Sequence, residues 1–170
     1  VRAALSQEAV KDFQVLPNSF SAGFGKASGG VVNIVTKGGG NRRATESFFL
    51  FRDEALNARD HFERFNPAGQ PIDREKAPFS QQQWGATLRG PIAKSKTFFF
   101  LSFEQIDISA NNFVNIDPTA AATLNANGFP VKLGNNPYDF TTTEALGKIN
   151  HQWSQDHDLV LRVSYADTSN

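Results

Sequence analysis

Four segments in the second half of the chain alternate apolar and polar residues with a period of two. The clearest is QQQWGATLRG at 81–90. Its apolar side chains share one face of a strand and its polar side chains share the other: Trp84, Ala86 and Leu88 against Gln83, Thr87 and Arg89. This alternation predicts β-strands with one apolar and one polar face. The pattern recurs at 97–106, 142–154 and 159–167, so we expect an all-β chain with a further strand at 44–53.

The connections between these strands alternate in length. They are long at 54–80, short at 91–96, long at 107–141 and short at 155–158. Antiparallel outer-membrane barrels have short periplasmic turns and long external loops, and strands of about 9–11 residues cross a bilayer at a tilt. The pattern favours a transmembrane barrel, with a soluble or cell-surface β-sandwich that binds or adheres as the alternative.

Composition limits the other function classes. Seventeen Lys and Arg balance seventeen Asp and Glu, so no net positive field attracts nucleic acid, and we expect no nucleic-acid partner. The absence of cysteine excludes disulfides, thiolate catalysis and cysteine-ligated metals. Every apolar run is far shorter than the ~20 residues that a transmembrane helix needs. A membrane role is therefore possible only for a barrel.

A glycine-bounded stretch, ASGGVVNIVTKGGGN at 27–41, is the most distinctive motif near the start of the chain. Its apolar core predicts a short strand between turns. A phosphate-binding Walker loop would need its lysine after the glycines, whereas Lys37 precedes them. A dinucleotide-binding fold would need a helix next, but 44–53 reads as a strand. We therefore expect a structural role and no bound cofactor.

No catalytic or metal-binding constellation is evident. The histidines His61, His151 and His157 lack metal-ligand spacing and an acidic cluster to complete a site. No nucleophile-elbow motif occurs. We predict that the protein is not an enzyme and has no catalytic, cofactor-binding or metal-binding residues.

Read in order, the segments resemble TonB-dependent outer-membrane receptors of the Oar-like branch. The stretch VKDFQVLPNSFSAGFGKASGGVVNIVTKGGGN resembles the end of the plug domain. Three further stretches resemble the first barrel strands: FFLFRDEALNARDHF, PFSQQQWGATLRGPIAKSKTFFFLSFEQ and LGKINHQWSQDHDLVLRVSYAD. The resemblance covers nearly the whole chain and is most specific around 78–104.

The resemblance implies a barrel of about 22 strands with a plug in its lumen, located in the bacterial outer membrane. Residues 1–41 would be the C-terminal part of the plug and 42–170 the first strands of the barrel, about five in number. The chain would then be a fragment with an incomplete transmembrane β-barrel. Its partners would be membrane lipid, an unidentified ligand and the inner-membrane TonB complex, which a plug segment absent from this sequence would contact. Its function would be the energised uptake or passage of a scarce ligand, bound in part by loops 54–80 and 107–141.

The resemblance also gives the glycine stretch a structural role as the junction between plug and barrel. The expected junction residues are Gly29, Gly30, Asn33, Thr36, Gly38, Gly39 and Gly40. The glycines would let the strand turn tightly in a crowded lumen. Phe49 and Phe51 leave the facing of the first barrel strand open, because a position facing the lumen is usually polar.

Overall fold

The computed structural model describes residues 5–17, 30–58, 64, 70–71, 76–114 and 116–170. The elements are β1 (Val10–Leu16), β2 (Val31–Thr36), β3 (Ala44–Asp53), β4 (Ser80–Ala93), β5 (Thr97–Val114), helix α1 (Pro118–Ala126), β6 (Gly134–Gln152) and β7 (Asp158–Ser169). Two 3-10 turns lie at Gln7–Ala9 and Glu54–Leu56. The predicted all-β fold of antiparallel strands is confirmed.

The strands form two sheets. β1 and β2 make an antiparallel hairpin whose register runs from Leu16 opposite Val31 to Val10 opposite Thr36, with a bulge between Val10 and Asp12. The second sheet has the order β3-β4-β5-β6-β7, so each strand pairs with the next one in sequence. This meander is the arrangement expected when consecutive strands pair with their neighbours. Within the described residues the larger sheet is open, with β3 and β7 at its edges.

The chain divides into two compact units. One consists of Val1–Phe48, Trp84–Gln105 and Thr143–Asp167. The other consists of Phe49–Gln83, Ile106–Thr142 and Thr168–Asn170.

In the first unit, the large sheet has one covered and one exposed face. The covered face carries Thr87, Phe100, Ser102, Glu104 and Leu146, all buried. The exposed face carries Trp84, Leu88, Leu101 and Ile149. Leu101 is 49% exposed whereas its neighbour Ser102 is 5% exposed. Three of the five buried residues are polar, and the apolar pair Phe100 and Leu146 is covered by the N-terminal segment, whereas the open side carries large apolar residues. A soluble antiparallel sheet usually has its apolar residues on the covered side and its polar residues on the open side.

The N-terminal segment packs on the covered face of this unit. Ala9 is completely buried in a cluster with Phe100 and Leu146, and Leu5 packs against that cluster. Ala9 lies in the turn that precedes β1, and its amide donates to the Ser6 carbonyl at 2.9 Å. The hairpin is therefore anchored to the sheet through a small apolar cluster.

In the second unit, a polar and aromatic cluster joins the start of β4 to the end of β3. The Arg52 guanidinium lies 5.2 Å from the centre of the Phe79 ring and donates to Gln81 at 3.2 Å. The Glu54 amide donates to the Phe79 carbonyl at 2.8 Å, and the Glu54 carboxylate accepts from the Phe79 amide at 2.6 Å. This pairing closes the base of the long connection between the two strands.

Helix α1 lies in the connection between β5 and β6. Its N-cap is Asp117, whose carboxylate accepts from the amides of Thr119 and Ala120. The Thr119 hydroxyl also donates to this carboxylate. This hydrogen bond has the largest effect and, with those from the two amides, holds the pKa of Asp117 below its ordinary value. Pro118, which lacks an N–H, fits the first helical position. Gly128 has φ +83° and directly follows the C-cap residue Asn127. Among the described residues, no helix has the length and apolar character needed to span a membrane.

The predicted long polar connection at 107–141 was wrong in extent. β5 continues to Val114 and β6 begins at Gly134, so the connection is much shorter. Asp107 accepts a hydrogen bond from Thr141 across the two strands at 2.9 Å. Pairing between strands overrides the low strand propensity of Asp and Asn, which made this region read as a loop.

Two smaller boundaries also differ from the prediction. The turn expected at 91–96 is confined to its last three residues, because β4 extends to Ala93 through Pro91. From the sequence alone, residues 6–12 read as a short helix or helix end, but the structure has only the turn Gln7–Ala9, since pairing with β2 makes a strand from Val10 onward. The sequence ALNARDHFERF at 55–65 favours one or two helical turns, and most of it lies outside the described residues.

The facing of β3 follows from its alternation. Glu46 reaches Lys37 on the covered side, and a ring atom of Phe48 lies 2.7 Å from where a Cβ on Gly85 would be. Alternate residues point to opposite faces of a strand. Phe49 and Phe51 therefore belong to the opposite, exposed face, and Phe49 is 66% exposed.

Candidate functional site

Lys37 is the centre of a charged network where the hairpin meets the large sheet. Its Nζ donates to Glu46 Oε2 at 2.9 Å and to Glu8 Oε2 at 3.3 Å. The other carboxylate oxygen of Glu46 accepts from Arg89 at 3.2 Å. The Lys37 amide donates to the Ala9 carbonyl at 2.8 Å. One residue thus connects the N-terminal turn, the end of β2 and the start of the sheet.

The network favours the charged form of Lys37. The hydrogen bond to Glu46 raises the pKa of Lys37 most strongly, partial burial opposes the rise, and Glu8 adds to it. The side chains are only partly buried, so solvent and salt screen their attraction. The network therefore orients the segments more than it stabilises the fold.

Gly39 packs against the first residues of β5 without room for a side chain. A Cβ on Gly39 would lie 2.5 Å from the Phe99 carbonyl oxygen and 2.7 Å from Phe98 Cβ. Both distances are far inside van der Waals contact, and both partner atoms belong to or adjoin the backbone. Glycine is therefore required here for close approach.

The other predicted junction glycines differ from Gly39. A Cβ on Gly40 would meet nothing within 4 Å, and one on Gly38 would lie 3.9 Å from the Lys148 ammonium. A Cβ on Gly30 would lie 3.1 Å from the Leu16 carbonyl oxygen. None of these described glycines has a positive φ, so the tight turning expected of them is not their reason for being glycine. Gly29 lies outside the described residues.

The two polar junction residues of β2 have different environments. Thr36 is buried at the strand end, and its hydroxyl accepts from Lys148 of β6 at 3.4 Å. Asn33 is exposed and paired with Gln14 in the hairpin. Thr36 thus lies where the hairpin contacts the sheet, whereas Asn33 does not take part in that contact.

Two hydrogen bonds join Asn41, which follows the three glycines 38–40, to the short turn between β4 and β5. Asn41 Oδ1 accepts from the Ser95 amide at 2.7 Å, and Asn41 Nδ2 donates to the Ser95 hydroxyl at 3.4 Å. Ser95 has φ +60°, a conformation that non-glycine residues adopt at a cost. The side-chain cap from Asn41 offsets part of that cost.

Sequence reasoning missed the charged partners of the junction. The sequence shows Lys37 only as a lysine in the wrong place for a phosphate loop and Arg89 only as a member of the polar face of its strand, and no motif marks Glu8 or Glu46. A lysine at the end of a strand is a usable signal, because a charge that becomes partly buried needs a partner. Glu46 is only nine residues from Lys37. The other two members of the network have no local signature, since Glu8 is 29 residues from Lys37 and Arg89 is 43 residues from Glu46.

Of the three histidines, His61 lies outside the described residues. His151 Nδ1 lies 2.8 Å from the Thr97 hydroxyl, and its ring meets Trp153 edge-on at 5.7 Å. The described residues contain no group of three or more His, Cys, Asp or Glu suited to a metal ion.

Comparison with known proteins gives two matches. A family model described as "Outer membrane beta barrel domain" matches residues 35–152. The TonB-dependent transporter Oar of Myxococcus xanthus is 27% identical over 187 residues, covering 97% of this chain and 16% of that protein. The chain thus spans about a sixth of the length of this curated relative. No solved structure matches it.

Proposed function

Because the chain belongs to the outer membrane β-barrel domain family, we propose that it forms the first wall strands and the adjoining plug hairpin of a transporter. The family match and the similarity to Oar confirm the resemblance to Oar-like TonB-dependent receptors, the antiparallel β-barrel class and the location in the bacterial outer membrane. The transport activity of the whole protein is our proposal.

The observation that carries the proposal is the reversed polarity of the sheet faces. Trp84, Leu88 and Leu101 are open to the surroundings, whereas Ser102 and Glu104 are covered. A barrel wall has this arrangement, with apolar residues toward lipid and polar residues toward the lumen. The alternative, a soluble β-sandwich, would expose this apolar surface to water, an unfavourable arrangement for a patch of this kind.

We propose residues 1–41 as the C-terminal part of the plug and 42–170 as the barrel segment. The contacts of Ala9 with Phe100 and Leu146 support this division. The ion pair of Lys37 with Glu46 also supports it, since it links the end of β2 to the first strand of the sheet. In this assignment, Gly30, Thr36, Gly38 and Gly39 are junction residues.

We further propose that transport uses energy from the inner-membrane TonB complex, reached through a plug segment outside this sequence. The name of the relative supports this part of the proposal. A scarce ligand would bind at the outer surface, in part through the long connections that begin after Asp53 and Val114. The transporter relative and the barrel family favour a non-enzymatic role.

Single cysteines in the full-length protein test the barrel assignment. This segment has no cysteine, so Leu101→Cys and Ser102→Cys each introduce a defined label. With an environment-sensitive fluorophore in proteoliposomes, the label at 101 should be quenched by brominated lipid and the label at 102 should not. Equal quenching at both positions, or quenching at neither, would refute a lipid-facing wall.

TonB coupling is tested separately in cells. Gly40→Cys should react with a small maleimide faster in cells with a working TonB system than in cells lacking it, because plug movement would open the junction. An equal rate in both strains, with the protein still in the outer membrane, would reject energised transport and leave the barrel assignment intact.

A further inference from the structure

The sheet is strongly basic around the short turn between β4 and β5. Residues 41–45 and 89–97 contain five basic residues and no acidic residue, although the whole chain has no net charge. The five are Arg42, Arg43, Arg89, Lys94 and Lys96. The hydrogen bonds between Asn41 and Ser95 hold the two segments together. Among the described residues, Arg89 alone of these five has an ion-pair partner.

Arg43 lies on the exposed apolar face of the sheet. A Cβ on Gly90 would lie 2.9 Å from Arg43 Cγ and 3.4 Å from a ring carbon of Phe99. Gly90 points to the same side as Trp84 and Leu88, since alternate residues of β4 share a face. The stem of Arg43 therefore crosses the space left by the missing side chain of Gly90, next to an aromatic ring.

An arginine on this face belongs at the edge of the lipid layer. Charged residues on the lipid face of a barrel are costly at the bilayer midplane and nearly neutral near the interface. Arg43 directly precedes β3 and so lies beyond the end of that strand. Trp153, at the corresponding end of β6, is 75% exposed, as expected of an interfacial aromatic residue. A long side chain there rests its stem on apolar surface and extends its charge to the headgroups.

We propose that Arg43, assisted by Arg42 and Lys94, binds the phosphate of an anionic phospholipid in the periplasmic leaflet. The inference rests on the proposed barrel orientation, in which short turns face the periplasm. A guanidinium matches a phosphate with two parallel hydrogen bonds. Basic residues at a membrane surface attract anionic lipids. Gly90 keeps the Arg43 side chain in position to bind the headgroup, because any larger residue at 90 would displace the aliphatic part of Arg43.

Lipid retention by the full-length protein tests this site. The protein is purified from mixed phosphatidylglycerol and phosphatidylethanolamine vesicles, and the bound lipids are counted by native mass spectrometry. We expect Arg43→Gln to weaken phosphatidylglycerol binding about fivefold, the effect of one basic residue at an anionic surface. The matched control is Lys132→Gln, which removes one exposed positive charge from the long connection before β6.

A second variant separates geometry from charge. Gly90→Ala keeps every charge but places a Cβ 2.9 Å from Arg43 Cγ, so it should also lower phosphatidylglycerol retention. An excess of inorganic phosphate should not displace the lipid from the wild type, because the site requires a membrane-anchored headgroup. Heat-shifted electrophoretic mobility, the usual sign of a folded barrel, verifies that each variant folds.

The outcomes are distinct. Unchanged retention in folded Arg43→Gln, or an equal loss in Lys132→Gln, would overturn the lipid site and leave the barrel assignment standing. Loss of retention in Arg43→Gln with unchanged retention in Gly90→Ala would overturn the role of Gly90. If the wild type neither folds into vesicles nor reaches the outer membrane, the proposed function itself fails.

Discussion

Replacing Gly39 with alanine should destabilise the junction, whereas the same change at Gly40 should not. The added methyl at Gly39 would lie 2.5 Å from the Phe99 carbonyl oxygen, 2.7 Å from Phe98 Cβ and 2.8 Å from the Phe99 amide nitrogen. Two of these atoms are backbone atoms of a paired strand. They cannot rotate away as the end of a flexible side chain could, so either the segment after β2 or the start of β5 must move.

The expected cost follows from overpacking. Inserting a methyl group into a filled site typically costs about 1–3 kcal/mol. Gly40 has no atom within 4 Å of an added Cβ and no positive φ. Alanine there restricts the unfolded chain without strain and should stabilise by about 0.4–1 kcal/mol. The two neighbouring substitutions should therefore differ in sign.

The assay is urea unfolding of the full-length protein in detergent micelles, followed by tryptophan fluorescence. If residues 1–41 belong to a plug, as we propose, outer-membrane permeability to vancomycin, a large antibiotic that intact outer membranes exclude, reports in cells whether that plug seals the lumen. Gly39→Ala should lower the unfolding midpoint and increase vancomycin sensitivity relative to Gly40→Ala. Equal midpoints and equal sensitivity for the two variants would refute the argument that Gly39 is required for space.

Three further predictions concern charge and facing. Leu101→Arg should destabilise the protein in vesicles by up to about 2–4 kcal/mol because it places a charge on the proposed lipid face. Ser102→Ala should have a small effect. Comparable unfolding free energies for the two variants would contradict the assigned faces. The pKa of Lys37 is raised in the fold, so its contribution to the free energy of unfolding should be complete below the ordinary lysine pKa and lost as pH rises through the raised value. The unfolding curves of the wild type and Lys37→Gln should therefore converge at alkaline pH. A difference between their unfolding midpoints that does not change with pH would contradict this. The pKa of Asp117 is lowered, so its N-cap of helix α1 should hold at neutral pH and weaken as pH falls through that lowered value. Asp117→Ala should speed amide hydrogen exchange in α1 at neutral pH without changing the global unfolding free energy. An unchanged exchange rate would exclude a stabilising role of the cap.

Much of the wall could be predicted because its signal is local. In β4, the alternation of Trp84, Ala86 and Leu88 with Thr87 and Arg89 follows from the pleat of a strand, whichever protein contains it. The predicted strand at 44–53 matches β3 in both bounds. The prediction was poorest beyond Ile106, where polar residues hid the continuation of β5. There the hydrogen bonds that make the strand come from β6, a partner well separated in sequence.

The junction was only half predictable. The glycines around the β2 strand marked a structural transition, but not which glycine is confined. That depends on Phe98 and Phe99 of β5, which are distant from Gly39 in sequence and lie next to it in the folded sheet. Lys37 and Glu46 are close enough in sequence to be paired by inspection, yet Glu8 and Arg89 complete the network from opposite sides.

The sequence by itself determined that this chain forms alternating strands, that it has no helix-like apolar span, and that a glycine-bounded strand precedes the sheet. These are properties of residue type and spacing, which act over a few neighbours. Only the tertiary structure decided which sheet face is covered, that Phe49 points outward, and that Gly39 rather than Gly40 is confined. Those outcomes depend on which surfaces meet, because burial and close contact are set by atoms distant in the chain.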